Sequence, residues 1–328
     1  MKIAFYSLRD FDELPMCQEY SEKYGIDFVW TKDAMCEENL SLAEGCIAVS
    51  TTPCEFKESY ADVFNSYGVK YVLCRSIGYD HLPKEKLKSL GMRMTNSTYP
   101  TECVANYAIM MILMLTRNMN QIMLRQVVQD YSLKGKMGLE IGDLTIGVMG
   151  TGNIGRTLIK HLSGFGCKIL AYDIYESEEV KQYATYVTAD ELYEKSDVIT
   201  LHMPSFESNH HIICDESIAK MKDGVMIVNT ARGALIDSYA LIRALRSGKV
   251  SGAALDVIEQ ENDLYYLNRT GDAIDNDELA ILRSMPNVIV SPHTAFYVRS
   301  TVANMVEKSF ASVKMFTDGV DNPNEVNE

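Results

Sequence analysis

Arg232, Glu261 and His293 are the residues of this chain best suited to chemistry on a carbonyl group. Arg232 follows the apolar run VMIVN, His293 follows VIVS, and Glu261 stands five residues beyond Asp256, which closes SGAAL. A guanidinium binds a carboxylate and polarises a carbonyl through charge-assisted hydrogen bonds. An imidazole donates a proton to the carbonyl oxygen as a hydride arrives, and takes it back in the reverse direction. A carboxylate on the other ring nitrogen fixes the ring and favours its protonated form. The bland readings weigh differently. An arginine near a helix start is commonly a surface or packing residue, and solvent alone would explain the acidic run Glu259, Glu261, Asp263. His293, between a proline and a threonine directly after a buried strand, is harder to assign to packing. Of the other histidines, His202 lies in a strand pattern and reads as structural, and His161, His210 and His211 read as helix or loop residues. His81 has no evident partner.

A hydride needs a carrier, and residues 144–173 (LTIGVMGTGNIGRTLIKHLSGFGCKILAYD) supply a site for one. They read as a strand (144–149), a glycine turn, a helix (154–165) and a second strand (168–172) ending on Asp173. Gly150, Gly152 and Gly155 stand in the order G-x-G-x-x-G. Gly150 allows the tight turn, Gly152 lets the backbone approach a pyrophosphate, and Gly155 lets the helix pack closely on the sheet. The helix N-terminus offers N–H groups and a positive dipole end to the phosphates. Asp173 is placed to accept from a ribose diol and to repel a 2′-phosphate, which favours NAD(H) over NADP(H). A lone glycine motif is weak evidence; strand, helix and acid in this order make it specific.

These groups need a scaffold that brings strand ends together. Apolar runs at 2–6, 28–30, 46–50, 70–74 and 92–96 alternate with helical stretches such as 56–67. The rhythm resumes after residue 144, with strands at 197–202, 225–229, 251–255 and 288–291 and helices at 238–247 and 278–285. Alternation of near-continuous apolar strands with helices predicts parallel α/β sheets covered on both faces. Their C-terminal edges are where ligands bind. The turn around Ile77 and Gly78 follows one such strand and suits backbone N–H groups that receive a carboxylate. A long helix begins near Glu102, with Val104, Tyr107, Ala108, Met111, Ile112 and Leu115 on one stripe. Its methionines (Met110, Met111, Met114) read as core or subunit-interface filler. A final amphipathic helix spans 299–316, and the polar tail 318–328 is expected to fray.

At 328 residues the chain has room for two domains. A net charge of −14 argues against nucleic acid or an anionic membrane as partner. The N-terminus has no secretory pattern, and the longest dense apolar run, 107–115, is far too short to cross a bilayer. Eight cysteines without a C-x-x-C pair read as buried reduced thiols in a cytoplasmic protein, so neither disulfides nor a metal site is expected.

TLHMP, VNTARGALIDSYAL, GAALDV and MPNVIVSPHTAFY resemble the signature segments of the D-isomer-specific 2-hydroxyacid dehydrogenases, from about residue 70 to the last helix. CRSIGYDHLP and the stretch Leu264, Tyr265, Tyr266 are most similar to D-lactate dehydrogenases, including the vancomycin-resistance type. The resemblance implies two Rossmann-like parallel-sheet domains, with an NAD-binding domain (102–299) inserted into a discontinuous substrate domain (1–101 and 300–328). It implies Arg232, Glu261 and His293 as the catalytic set, and Ile77, Gly78, Tyr99, Arg232 and Phe296 as substrate contacts. Asn153, Ile154, Asp173, Met203, Pro204, Asn209, Thr230, Ala231 and Asp256 are the implied cofactor contacts beside the three glycines. The segment NSTYPTECVAN departs from the family's usual loop, and Asp173 departs from the NADPH-using vancomycin-type relatives. The implied reaction is NADH-dependent reduction of a small 2-keto acid to a D-2-hydroxy acid by a homodimer, pyruvate to D-lactate first. A bulkier keto acid (phenylpyruvate or 2-ketoisocaproate), admitted by Ser76 and Thr98, is the alternative, and a non-enzymatic NAD-sensing protein on the same fold is a third reading.

Overall fold

The computed structural model describes residues 1–261 and 264–326. In chain order the first hundred residues form β1 (Lys2–Phe5), α1 (Glu13–Tyr24), β2 (Asp27–Trp30), β3 (Ala48–Thr51), α2 (Glu58–Ser66), β4 (Tyr71–Cys74), α3 (Lys84–Ser89) and β5 (Arg93–Thr95). Then come α4 (Glu102–Thr116), α5 (Met119–Val127), β6 (Thr145–Met149), α6 (Asn153–Leu162), β7 (Lys168–Tyr172), β8 (Thr185–Tyr186), α7 (Ala189–Lys195) and β9 (Val198–Leu201). The chain continues through α8 (Asp215–Lys220), β10 (Val225–Asn229), α9 (Ser238–Ser247), β11 (Val250–Leu255), α10 (Asp277–Ser284), β12 (Val288–Val290) and α11 (Arg299–Asp318). Two compact units result. One comprises Met1–Pro100 together with the chain from Tyr297 onward, and the other Thr101–Phe296.

The first unit holds a five-stranded sheet in the order β2-β1-β3-β4-β5, with every pair parallel. The last helix returns to it because α11 carries Val306, Phe310, Val313 and Phe316 into the cluster formed by Ile3, Phe5 and Leu73. Phe310 is fully buried, its ring 5.4 Å from that of Phe5 and 6.3 Å from that of Phe28. The C-terminal ends of β1, β3 and β4 are tied by Arg75, which is fully buried. Its guanidinium donates to Glu13 Oε1 (3.2 Å), Ser50 Oγ (3.0 Å) and the Tyr6 carbonyl (2.8 Å). A buried cation is tolerated because its donors are satisfied and a carboxylate sits beside it.

The second unit holds a seven-stranded sheet in the order β12-β11-β10-β9-β6-β7-β8, again wholly parallel. Its central strands β9 and β10 are buried at every residue, as sheets covered on both faces require. One face packs α4 and α6, with Ala108, Met111, Ile112 and Leu115 against Ile146 and Val148, and the other packs α9 through Leu241 and Leu245. Asp237 caps α9 by accepting from the Ala240 N–H, and Gly248 ends it in the left-handed conformation. No helix among the described residues is long and apolar enough to cross a membrane.

Several expectations are corrected. The tail does not fray as far as it is described: Glu325 bridges to Thr95 and pairs with Arg93 at 2.6 Å, and Asn322 and Asn324 are buried. These polar residues complete the open edge of β5, where the Val326 N–H donates to the Met94 carbonyl. The helix expected to end at 165 stops at Leu162 and tightens into a 3₁₀ turn, Ser163–Phe165. His81 has a partner, Cys74 Sγ at 3.7 Å. All eight cysteines are thiols, but only Cys17, Cys46 and Cys74 are buried. Asp263 and the last two residues of the tail lie outside the described residues.

Candidate active site

Because all seven strands of the second unit run parallel, the loops after β6, β7, β9, β10, β11 and β12 leave the sheet at one edge. The chain order reverses between β6 and β9, the place where such sheets open a crevice. The glycines of this turn are required by space. Gly150 has φ +94°, and a Cβ there would meet the His202 backbone at 2.7 Å. At Gly155 a Cβ would stand 2.0 Å from the Gly150 carbonyl oxygen, whereas at Gly152 it would meet nothing within 4 Å. Gly152 and Asn153 are exposed, and Ile154 is half-buried, at the N-terminus of α6. The Asp173 carboxylate accepts from the Thr151 N–H (2.5 Å), Thr151 Oγ1 (3.1 Å) and the Tyr175 N–H (3.1 Å). A carboxylate has about four acceptor positions, so it braces the turn and keeps capacity for a diol.

The other edge loops carry the remaining groups. His293 Nδ1 and Glu261 Oε1 are 2.6 Å apart, and Glu261 Oε2 accepts from the Ile258 N–H at 3.2 Å. His293 has φ +52°, a strained conformation for a residue other than glycine. It is held there by its own N–H on the Asp256 carbonyl (2.7 Å) and by the Tyr266 hydroxyl, which donates to the His293 carbonyl (2.8 Å). The Asp256 carboxylate is fully buried and accepts from Ser291 Oγ (2.6 Å), the Thr294 N–H (2.9 Å) and the Ala295 N–H (2.8 Å). Asp256 therefore organises the loop that presents His293. The rings of Tyr266 and Phe296 lie 6.1 and 6.5 Å from the imidazole. Burial, with Glu261 and Asp256 near, pushes the Tyr265 phenol above its usual range.

Arg232 leaves the end of β10 half-buried, with Nη1 donating to the Ala231 carbonyl at 2.8 Å. Asn229 shapes this turn, accepting from the Ala231 N–H and donating to the Arg232 carbonyl. Gly233 is needed beside it, since a Cβ would lie 2.1 Å from the Ile258 carbonyl. Thr230 Oγ1 is buried with no hydrogen-bond partner among the described residues. After β9, Met203 is half-buried and Pro204 exposed, and both amide groups of Asn209 are engaged by the backbone of Phe206 and Pro204. His202 is buried against Thr200 Oγ1 at 2.8 Å, and burial pushes it down to about 3. In the first unit, neither Ile77 nor Gly78 N–H has an acceptor among the described residues. Their loop is shaped by Asn96 Nδ2 on the Ile77 carbonyl and Ser76 Oγ on the Gly78 carbonyl. Tyr99 stands half-buried in the loop after β5.

The open space over Gly152, the exposed start of α6 and the orphaned Thr230 hydroxyl fit a dinucleotide. Residues 109–295 match the family of D-isomer-specific 2-hydroxyacid dehydrogenases, NAD-binding domain. The chain belongs to that family. It is 40% identical over 323 residues to an aromatic 2-oxoacid reductase of Clostridium sporogenes, covering 96% of each chain. It is 37% identical over 324 residues to a D-lactate dehydrogenase of Lactiplantibacillus plantarum, covering 97% of each. A solved D-2-hydroxyisocaproate dehydrogenase matches with a TM-score of 0.90 at 33% identity, over the whole of both chains. The chain is thus an NAD-dependent oxidoreductase of 2-hydroxy acids, as the resemblance implied, with two parallel-sheet α/β units.

The residues that sequence reasoning missed are those that act through others. Ser291, Thr151 and the Tyr266 hydroxyl lie within the quoted motifs, but nothing in those motifs marks the hydroxyls as the groups that hold Asp256, Asp173 and His293.

Proposed function

We propose that Arg232, Glu261 and His293 are the catalytic set, and that the preferred reaction is reduction of pyruvate to D-lactate. The observation that carries the assignment is the 2.6 Å pairing of Glu261 with His293 Nδ1. It leaves Nε2 to give its proton to the substrate carbonyl oxygen, while Arg232 binds the carboxylate and polarises the carbonyl. NAD(H), when bound, supplies or accepts the hydride. Glu261 keeps the ring aimed, and Asp256 holds the loop beneath it. The Ile77 and Gly78 N–H groups are proposed as further donors to the substrate carboxylate, and Tyr99 and Phe296 as its apolar neighbours. His293→Ala is expected to cut kcat by about 10²–10⁴-fold while NADH affinity, read by fluorescence, is kept. Unchanged turnover would overturn the proton-donor role.

An aromatic keto acid is the second reading, favoured by the Tyr266 and Phe296 rings around His293 and by the 40% identity to an aromatic 2-oxoacid reductase. Comparing kcat/KM for pyruvate, phenylpyruvate and 2-ketoisocaproate with NADH decides between the two. We also propose a homodimer. Met123, Val127, Val128, Leu133 and Met137 are all more than half exposed, a patch that a second copy of the chain would cover. A cytoplasmic setting accords with eight thiols and no disulfide.

A further inference from the structure

We propose that His210, His211 and Glu259 form a binding site for a borderline divalent cation such as Zn²⁺. Two imidazoles and a carboxylate offer ligand atoms that all lie within 4.8 Å of one another. The two rings stack with centroids 3.8 Å apart, and His211 Nε2 lies 2.7 Å from Glu259 Oε1. Two nitrogens and one oxygen are the donors that Zn²⁺, Ni²⁺ and Cu²⁺ favour, whereas Mg²⁺ and Ca²⁺ favour all-oxygen sets.

Two of the ligands are already held. His211 has φ +52°, and its N–H donates to the Ala234 carbonyl at 2.9 Å. Glu259 accepts from Ser238 Oγ at 3.4 Å, and its backbone runs against Gly233, where no Cβ would fit. His210 is exposed and can turn to close the set, leaving a fourth position to water. The binding free energy is therefore not spent on ordering the whole site.

The location has a consequence. Ala234 lies two residues after Arg232, and Glu259 two residues before Glu261. A cation here joins the loops after β9, β10 and β11 into one body and stabilises the folded second unit by mass action. The cysteine pattern gave no reason to expect a metal, because these ligands come from loops 48 residues apart.

The test uses the full chain after EDTA treatment and dialysis. Calorimetric titration with ZnCl₂ is expected to show one equivalent bound, with a rise in Tm that EDTA reverses and that MgCl₂ does not produce. His210→Ala and Glu259→Gln should each weaken Zn²⁺ binding about tenfold or more. The Co²⁺ complex should lack a thiolate charge-transfer band, which separates this site from the eight thiols. A Zn²⁺ isotherm unchanged in His210→Ala, whose side chain is exposed and dispensable for folding, overturns the proposal. So does a thiolate band in the stoichiometric Co²⁺ complex, or no binding at all.

Discussion

Two glycines of one motif should fail for different reasons when each becomes alanine. At Gly155 the new Cβ would stand 2.0 Å from the Gly150 carbonyl oxygen, against 3.4 Å or more for ordinary contact. Neither side can yield cheaply. Gly150 is itself pressed against the His202 backbone, and its N–H is bonded to the Tyr172 carbonyl at 2.8 Å. The start of α6 must lift from the turn, a strain of about 1–3 kcal/mol or more. Gly152→Ala meets nothing within 4 Å and sits at φ −63°, which alanine adopts freely. Alanine is a poorer N-cap than glycine by about 0.5–1 kcal/mol, and the stiffer unfolded chain returns about 0.4–1 kcal/mol. The net change in stability is close to zero. The methyl group nevertheless occupies the space into which a pyrophosphate would settle, so NADH affinity should fall about 10- to 100-fold. Urea denaturation and NADH fluorescence titration on both variants separate the two effects. Gly152→Ala binding NADH as tightly as the parent would refute the reading of that space as a phosphate cradle. Gly155→Ala unfolding at the parent's urea midpoint would refute the packing argument.

Three further outcomes are expected. Asp173→Ala should erode the preference for NADH over NADPH, and an unaltered ratio of kcat/KM for the two would sink the role given to Asp173. Phe310→Ala empties a fully buried site among Phe5, Phe28 and Tyr24, and should cost about 3–5 kcal/mol in urea denaturation; a loss below about 1 kcal/mol would contradict the docking of α11. His202 stays neutral when folded, pushed from 6.5 down to about 3 by burial, while the unfolded chain takes up the proton below 6.5. Stability should therefore be lost as pH falls from about 6.5 toward 3, by up to about 1.4 kcal/mol per unit from this group alone. In His202→Gln the drop between pH 7 and pH 5 should be smaller, and an equal drop would count against the buried neutral ring.

What could be read from sequence was what repeats with a period or stands at a strand end. The strands with near-continuous apolar runs, such as 225–229 and 198–201, were legible because burial on both faces leaves Asn229 and Thr200 as their only polar residues. Arg232, His293 and the glycine turn were legible for the same reason, since each stands within three residues of the end of such a run. The short helices α3, α7 and α8 were not, because at least half of their residues are charged and they contribute few apolar residues to a core. Nor was the tail: Asn322, Asn324 and Glu325 look like solvent-loving residues, yet Glu325 pairs with Arg93 of β5, Asn324 accepts from Thr98, and Asn322 accepts from Asn324. Asp256 shows the deeper limit. The family resemblance implied a cofactor contact there, and nothing in the sequence showed that its carboxylate also accepts from Ser291, Thr294 and Ala295. Those three donors lie 35 to 39 residues away, so no local pattern encodes the arrangement. The same holds for Glu259 with His210 and His211. A residue's type and strand-end position are written in the sequence, while what it holds in place is decided by the pairing of β10, β11 and β12, which brings distant loops to one edge.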